Sequence, residues 1–143
     1  MPRLTDSEYR NLLASRTGLR RFLRWSEQQA AQAGLTPAQH QLLVAVRGHP
    51  DPRGPTIGQV AGHLLVRHHS AVELVDRAQA LGLVERVPDG DDQRVVRLAL
   101  TPAGHHRVRA LTDLHLEELR RLAPLLDALV AGLGEGVRPR PAD

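Results

Sequence analysis

A chain of 143 residues, 41% hydrophobic and 24% charged, has enough length for one moderate core and an ordinary globular composition, which excludes a wholly disordered polar chain. It contains no Cys, so a disulfide framework, a thiolate zinc site, a thiol nucleophile and a thiol redox switch are all excluded. The formal net charge is +3 and all 19 basic residues are Arg, a balance that permits a phosphate-bearing partner without requiring one.

Thr5-Asp6-Ser7-Glu8 has the spacing at which Thr and Glu satisfy each other's backbone amides, and Tyr9, Leu12, Leu13, Leu19, Phe22 and Leu23 follow at helical intervals. A long amphipathic helix is expected, with a stop at Gly34. Thr36-Pro37-Ala38-Gln39 repeats the capping pattern ahead of Leu42, Leu43 and Val46, a shorter helix that gives way to the loop Gly48-His49-Pro50-Asp51-Pro52-Arg53-Gly54-Pro55. Thr56-Ile57-Gly58-Gln59 opens a third helix bearing Ile57, Val60, Ala61 and Leu64. Only about Leu65-Val66-Arg67 separates it from a fourth, His68 to Leu81, whose apolar stripe is Ala71, Leu74, Val75 and Ala78 and which stops at Gly82.

Beyond Gly82 the apolar period changes from 3.6 to 2. Leu83–Val87 and Val95–Leu100 read as strands, joined as a hairpin by Pro88-Asp89-Gly90-Asp91-Asp92-Gln93. At Thr101-Pro102 a capping Thr precedes a Pro in the first helical position, and the helix it starts, with Val108, Leu111, Leu119 and Leu122, is expected to run to Pro124. A last short helix then carries Leu125, Leu126, Leu129 and Val130, followed by Gly132, Gly134, Gly136 and a frayed tail at Arg138-Pro139-Arg140-Pro141. No apolar run nears the roughly 18 residues of a membrane span, and Met1 to Asp6 lack the apolar stretch of a secretory signal, so a cytoplasmic chain with no membrane partner is expected.

Two short helices across a tight turn, followed at once by a hairpin, are the parts of a winged helix-turn-helix, in which the second helix enters the major groove and the hairpin lies over the adjacent backbone or minor groove. Arg67, His68, His69, Val72, Glu73 and Asp76 would face outward from that helix, although a solvated face shows the same pattern. The fold class expected is mainly α with a small β-hairpin wing.

The residues between Thr36 and Gly104 resemble the MarR family of transcriptional regulators. Leu64-Leu65-Val66 stands before the turn, Leu74-Val75-Asp76-Arg77 in the fourth helix, Gly82-Leu83-Val84-Glu85-Arg86 at the wing entrance, and Asp92-Gln93-Arg94 ahead of Leu98-Ala99-Leu100-Thr101-Pro102-Ala103-Gly104. That resemblance implies a homodimer on pseudo-palindromic double-stranded DNA, built from an N-terminal dimerisation helix (1–35), a winged helix-turn-helix (36–104) and C-terminal dimerisation helices with a flexible tail (105–143). It further implies a repressor relieved by a small anionic or phenolic effector. The residues agree with a dimer, because the first helix and the segment from Val108 to Val130 carry more apolar surface than one winged unit covers, though part could pack within the chain.

The DNA-binding set implied is Arg67, His68, His69, Ser70, Val72, Glu73 and Arg77 of the fourth helix with Asp92 and Arg94 of the wing. Arg94 would enter the minor groove with Asp92 orienting it, and a planar guanidinium suits both a narrow electronegative groove and phosphate. Glu73 departs from the family's basic or polar residue. It repels phosphate but can accept from the amino group of cytosine. From Arg67 to Arg77 two Arg face two carboxylates, so the helix has no net charge unless its His residues are protonated.

Arg21, Trp25 and His40 are candidates to line the effector crevice, although a lone Trp at a helix junction is more often core than pocket. No cofactor and no metal site is expected, since His63, His68, His69, His105 and His106 show no regular ligand spacing. A metal-responsive regulator using His40 and His115 is one alternative. A winged-helix protein-interaction module that does not bind DNA, motivated by Glu73, is another. An enzyme is not expected, because neither a nucleophile elbow nor a phosphate-cradling Gly-rich loop is present.

Overall fold

The computed structural model describes residues 3–132, which form α1 (Asp6–Gln32), α2 (Pro37–Gly48), α3 (Ile57–Leu64), α4 (His68–Ala80), β1 (Val84–Pro88), β2 (Val96–Leu100) and α5 (Pro102–Gly132). Every helix start expected from a capping Thr is present. Thr36 Oγ1 accepts from Gln39 N at 3.1 Å while Gln39 Oε1 accepts from Thr36 N at 3.0 Å, and Thr56 with Gln59 repeats the exchange at 3.2 and 2.9 Å. Thr5 and Glu8 close the box ahead of α1, and Thr101 Oγ1 accepts from Gly104 N at 3.0 Å ahead of α5. Each such cap contributes about 1 kcal/mol, enough to fix where a short helix begins.

One expectation fails at the C-terminal end. The break at Pro124 does not occur, and the two helices placed on either side of it are a single α5 with Pro124 inside. Proline removes one intrahelical donor, but Leu, Ala, Glu and Arg, all strong helix formers, fill the flanking turns, so the ladder loses a bond without ending. Gly134, Gly136 and the tail Arg138–Pro141 lie outside the described residues.

Residues Glu27–Asp113 make one compact unit and the residues before and after them make another. In the unit Glu27–Asp113, Leu42, Leu43, Val60, Val75, Val84 and Leu98 are among the largest fully buried apolar side chains. β1 and β2 pair antiparallel in the register Val84↔Leu100 through Pro88↔Val96, each strand starting one residue later than its alternation suggests. A bridge between Thr56 and Arg97 and a bond from Leu98 N to Pro55 O at 2.8 Å add the loop before α3 to the open side of β2. Ridge geometry places Ala71, Val75 and Ala78 of α4, spaced i, i+4, i+7, in the core at no measurable exposure.

Two local features hold the wing against the helices. Gly104 in the first turn of α5 lies so close to β1's entrance that a Cβ there would sit 2.1 Å from the Leu83 carbonyl oxygen, and Thr101 N donates to that same oxygen at 3.1 Å. The turn between α3 and α4 is made by Leu65 at φ 55°, a left-handed conformation costly for a residue with a Cβ. Its amide and that of Val66 both donate to Ala61 O, closing α3 before α4 departs.

The other unit contains the start of α1 and the second half of α5. There Phe22, Trp25 and His115 form an aromatic cluster, Trp25 and His115 having ring centroids 5.0 Å apart, and Ser26 Oγ meets His115 Nε2 at 2.5 Å. Tyr9, Leu13, Leu19 and Leu23 of α1 and Leu114, Leu116 and Leu119 of α5 are exposed. No helix among the described residues is long and apolar enough to cross a membrane.

Candidate nucleic-acid interface

α4 presents a polar row. Opposite the buried Ala71, Val75 and Ala78, the residues His69, Glu73 and Asp76 repeat the i, i+4, i+7 spacing and are exposed, flanked by exposed Arg67, His68 and Arg77 and by half-buried Ser70 and Val72. Arg67 is the N-cap of α4, makes no side-chain capping bond and is exposed.

The charge of this face differs from the balance read along the helix alone. Arg86 of β1 donates to Asp76 Oδ1 at 2.6 Å and also to Gln79 Oε1. Counting Arg86 with Arg67 and Arg77 against Glu73 and Asp76 leaves a surplus of one positive charge, and Glu73 is exposed on the outward row. Nothing local in the sequence announces that contact, because it joins a helix to the strand that follows it.

In the wing, Arg94 N and Nε both donate to Asp92 Oδ1 at 3.1 Å, and Arg94 Nη2 donates to Asp92 Oδ2 at 3.3 Å. The Arg94 side chain nevertheless remains 91% exposed, so its outer face is open to a partner. The guanidinium and backbone amide of Arg94 hold the Asp92 carboxyl below the ordinary carboxylate range, keeping it charged at any neutral pH.

A second Arg–Asp cluster, at the turn end of the hairpin, has no local sign in the sequence. Arg97 Nε donates to Asp89 Oδ1 at 3.0 Å and Arg97 Nη1 to Gly54 O at 2.9 Å, while Arg53 holds Asp51 at 2.8 Å. Arg97 and Asp89 are 12% and 7% exposed, so this pair is part of the structure and not open to a ligand. Arg53 holds Asp51 well below the ordinary carboxylate range, first through its side chain and then through its backbone amide. Only the Asp-Pro-Arg-Gly sequence of the loop hints at a turn there. The partner strand is 43 residues further on.

These carboxylates give a pH prediction. Their folded-state pKa values are depressed, so each pair adds stability that is fully present above the unfolded aspartate pKa of about 3.9 and is lost as pH falls through the lower folded value. A carbon-13 titration of the side-chain carboxyls should place Asp51 and Asp92 below about 3.9, with Asp51 the lower. Arg94→Ala should raise Asp92 toward the ordinary value, with the backbone amide of residue 94 keeping part of the depression, and leave Asp51 unmoved. An ordinary Asp92 midpoint in the unaltered protein would contradict the Asp92–Arg94 geometry.

The effector candidates are divided between the two units. Arg21, exposed, and Trp25, half-buried, belong to the unit with the aromatic cluster, whereas His40 is buried in α2 of the unit Glu27–Asp113. Likewise His40 and His115, the alternative metal pair, stand in different units. Among the described residues no three His, Cys, Asp or Glu side chains are grouped to hold a metal ion.

With this geometry in view, the comparison with known proteins is specific to the winged portion. Residues 33–95 match the model of the MarR family. The winged unit of this chain is thus similar to MarR-family domains. YsmB of Bacillus subtilis (strain 168), an uncharacterized HTH-type transcriptional regulator, is 38% identical over 65 residues, which are 46% of this chain and 44% of that protein. The match therefore spans less than half of that relative. Among solved structures, the MepR–DNA complex of S. aureus superposes with a TM-score of 0.64 at 21% identity over 85% of each chain. The YusO protein of Bacillus subtilis does so with 0.65 at 19% identity over 94% of this chain and 100% of its own. At those identities the likeness is one of fold. The likeness to YusO covers 94% of this chain, more than the span of the family match. None of these names denotes an enzyme.

Proposed function

We propose that this chain is a homodimeric, sequence-specific DNA-binding transcriptional regulator acting in the cytoplasm. The observation that carries the reading is the pairing of an exposed polar row on α4 with an open Arg94 on the wing, both mounted on a rigid core. In this reading α4 enters the major groove. Arg67, His68, His69 and Ser70 lead at its N-terminal end, Val72 offers a methyl contact, and Arg77 meets phosphate. Glu73 accepts from a cytosine amino group, which makes it a specificity element and a tax on affinity together. Arg94, fixed by Asp92, occupies the neighbouring minor groove. The fold shared with MepR, a structure of which is a DNA complex, supports this placement.

Two copies are required by the reading. Tyr9, Leu13, Leu19, Leu23, Leu114, Leu116 and Leu119 form more exposed apolar surface than a monomer ordinarily carries, and a second copy covers it while presenting two α4 helices to successive turns of a pseudo-palindrome. The reading is completed by repression as the outcome of binding and a small anionic or phenolic molecule as the inducer. A salt series tests the core of it. Binding to the duplex adjoining the protein's own coding sequence should weaken on the order of a hundredfold between 50 and 200 mM salt if four or more phosphates are contacted. No binding at low salt would favour the winged-helix protein-interaction module, for which the exposed Glu73 speaks.

A further inference from the structure

His49 and His63 meet where the helical period gives no reason to expect it. His49 caps the C-terminus of α2 and His63 lies in the last turn of α3, 14 residues away. Nδ1 of His49 is 3.0 Å from Nε2 of His63, the ring centroids are 5.3 Å apart and the planes are inclined by 74°. With each centroid about 1.1 Å behind its nitrogen, those distances put both rings nearly in line, the geometry of an N–H of one ring donating to the lone pair of the other. One facing nitrogen is therefore already a bare donor atom. The second becomes one when its proton moves to the outer nitrogen of the same ring, a change of tautomer that releases no proton.

We infer that His49 and His63 form a two-histidine site for a divalent late transition metal, which replaces the proton between the rings. Metal–nitrogen bonds of about 2.0–2.1 Å to two atoms at the observed separation subtend roughly 95° at the metal. That angle is the cis angle of square-planar and octahedral ions, so Cu²⁺ and Ni²⁺ fit first, while a tetrahedral Zn²⁺ needs the nitrogens about 0.3 Å further apart. Because the rings lie nearly in line, each must turn by roughly 40° for its lone pair to reach a metal placed off the N–N axis; His63 is exposed and His49 half-buried. His49 also lines an open cavity of about 420 Å³, and His63 is exposed, so water can complete the coordination from the solvent side of His63. Two imidazoles without a carboxylate select against Mg²⁺ and Ca²⁺, which take oxygen ligands.

The adjacent pairs His68-His69 and His105-His106 do not offer the same geometry, because successive residues of a helix point to different faces. A metal at His49 and His63 clips the end of α2 and its following loop to the first helix of the helix-turn-helix, and by mass action it stabilises only the folded state. The inference does not depend on DNA binding.

The test uses the full chain at neutral pH with NiCl₂, CuCl₂ and MgCl₂, followed by thermal melting and by NMR of the imidazole resonances. Saturating Ni²⁺ should raise the melting midpoint by several degrees, Mg²⁺ should leave it in place, and sub-stoichiometric Cu²⁺ should broaden the His49 and His63 resonances first. His49→Asn and His63→Asn should each remove the Ni²⁺ shift, while His69→Asn keeps it. Should either of those two variants not fold, the broadening in the unaltered chain decides alone. Broadening centred on other histidines, a Ni²⁺ shift that survives either substitution, or no response to Ni²⁺ or Cu²⁺ would overturn the site.

Discussion

Gly54→Ala is expected to destabilise the protein by about 3 kcal/mol or more and to detach the wing from the helices. Gly54 sits at φ +92°, a conformation that penalises any Cβ, and a Cβ there would lie 2.2 Å from the Leu98 carbonyl oxygen. That oxygen belongs to the backbone of β2 and cannot swing aside as a side-chain tip does. Relief requires moving the loop from the strand, which breaks the 2.8 Å bond from Leu98 N to Pro55 O and the 2.9 Å bond from Arg97 to Gly54 O together. Asp89 then loses the orientation of its buried Arg97 partner, so the loss spreads to the wing tip. Thermal or urea unfolding measures the effect, with a fall in midpoint of roughly 10 °C for a chain of this size. A near-unchanged midpoint would mean that the loop and β2 are not joined as described.

Arg94→Ala is expected to act on binding alone. Its side chain is 91% exposed and, among the described residues, its bonds run to Asp92 two residues before it, so the core and the hairpin register do not depend on it. A guanidinium lost from the minor groove should weaken DNA binding roughly tenfold in each protomer, about a hundredfold for a dimer, with the melting midpoint unmoved. Arg94→Lys should recover only part of the loss, because a compact ammonium keeps the charge but not the planar fork. Titration of labelled duplex by fluorescence anisotropy separates the variants, and equal affinities across all three would show that the wing does not touch DNA.

The elements legible in the sequence are those whose cause is local. Thr36 with Gln39 and Thr56 with Gln59 declare their helices because a capping box needs only four residues, and the period of 2 around Val84 and Leu98 declares the hairpin because one face of it is buried. Pro124 misled for the complementary reason. Its missing donor is a local stop signal, and the continuity of α5 is decided by the strong helix formers on both flanks. Long-range polar contacts were invisible. Arg97 reaching Gly54, Arg86 reaching Asp76 and His49 reaching His63 each join separate elements with no periodic relation, and the middle one alters the charge of the α4 face. Asp92 and Arg94 stand out in the sequence through the resemblance to the family, and the contact between them is local, two residues long.

The account depends on α4 reading a groove twice, once from each of two chains related by a two-fold axis. Selection of bound sequences from a pool of random duplexes by the full-length protein tests that directly. The predicted result is enrichment of a pseudo-palindrome whose half-sites lie about one helical turn apart, with A·T-rich steps where Arg94 would enter the minor groove. Recovery of a pool no different from the input, by a protein that is folded and at low salt, would contradict it.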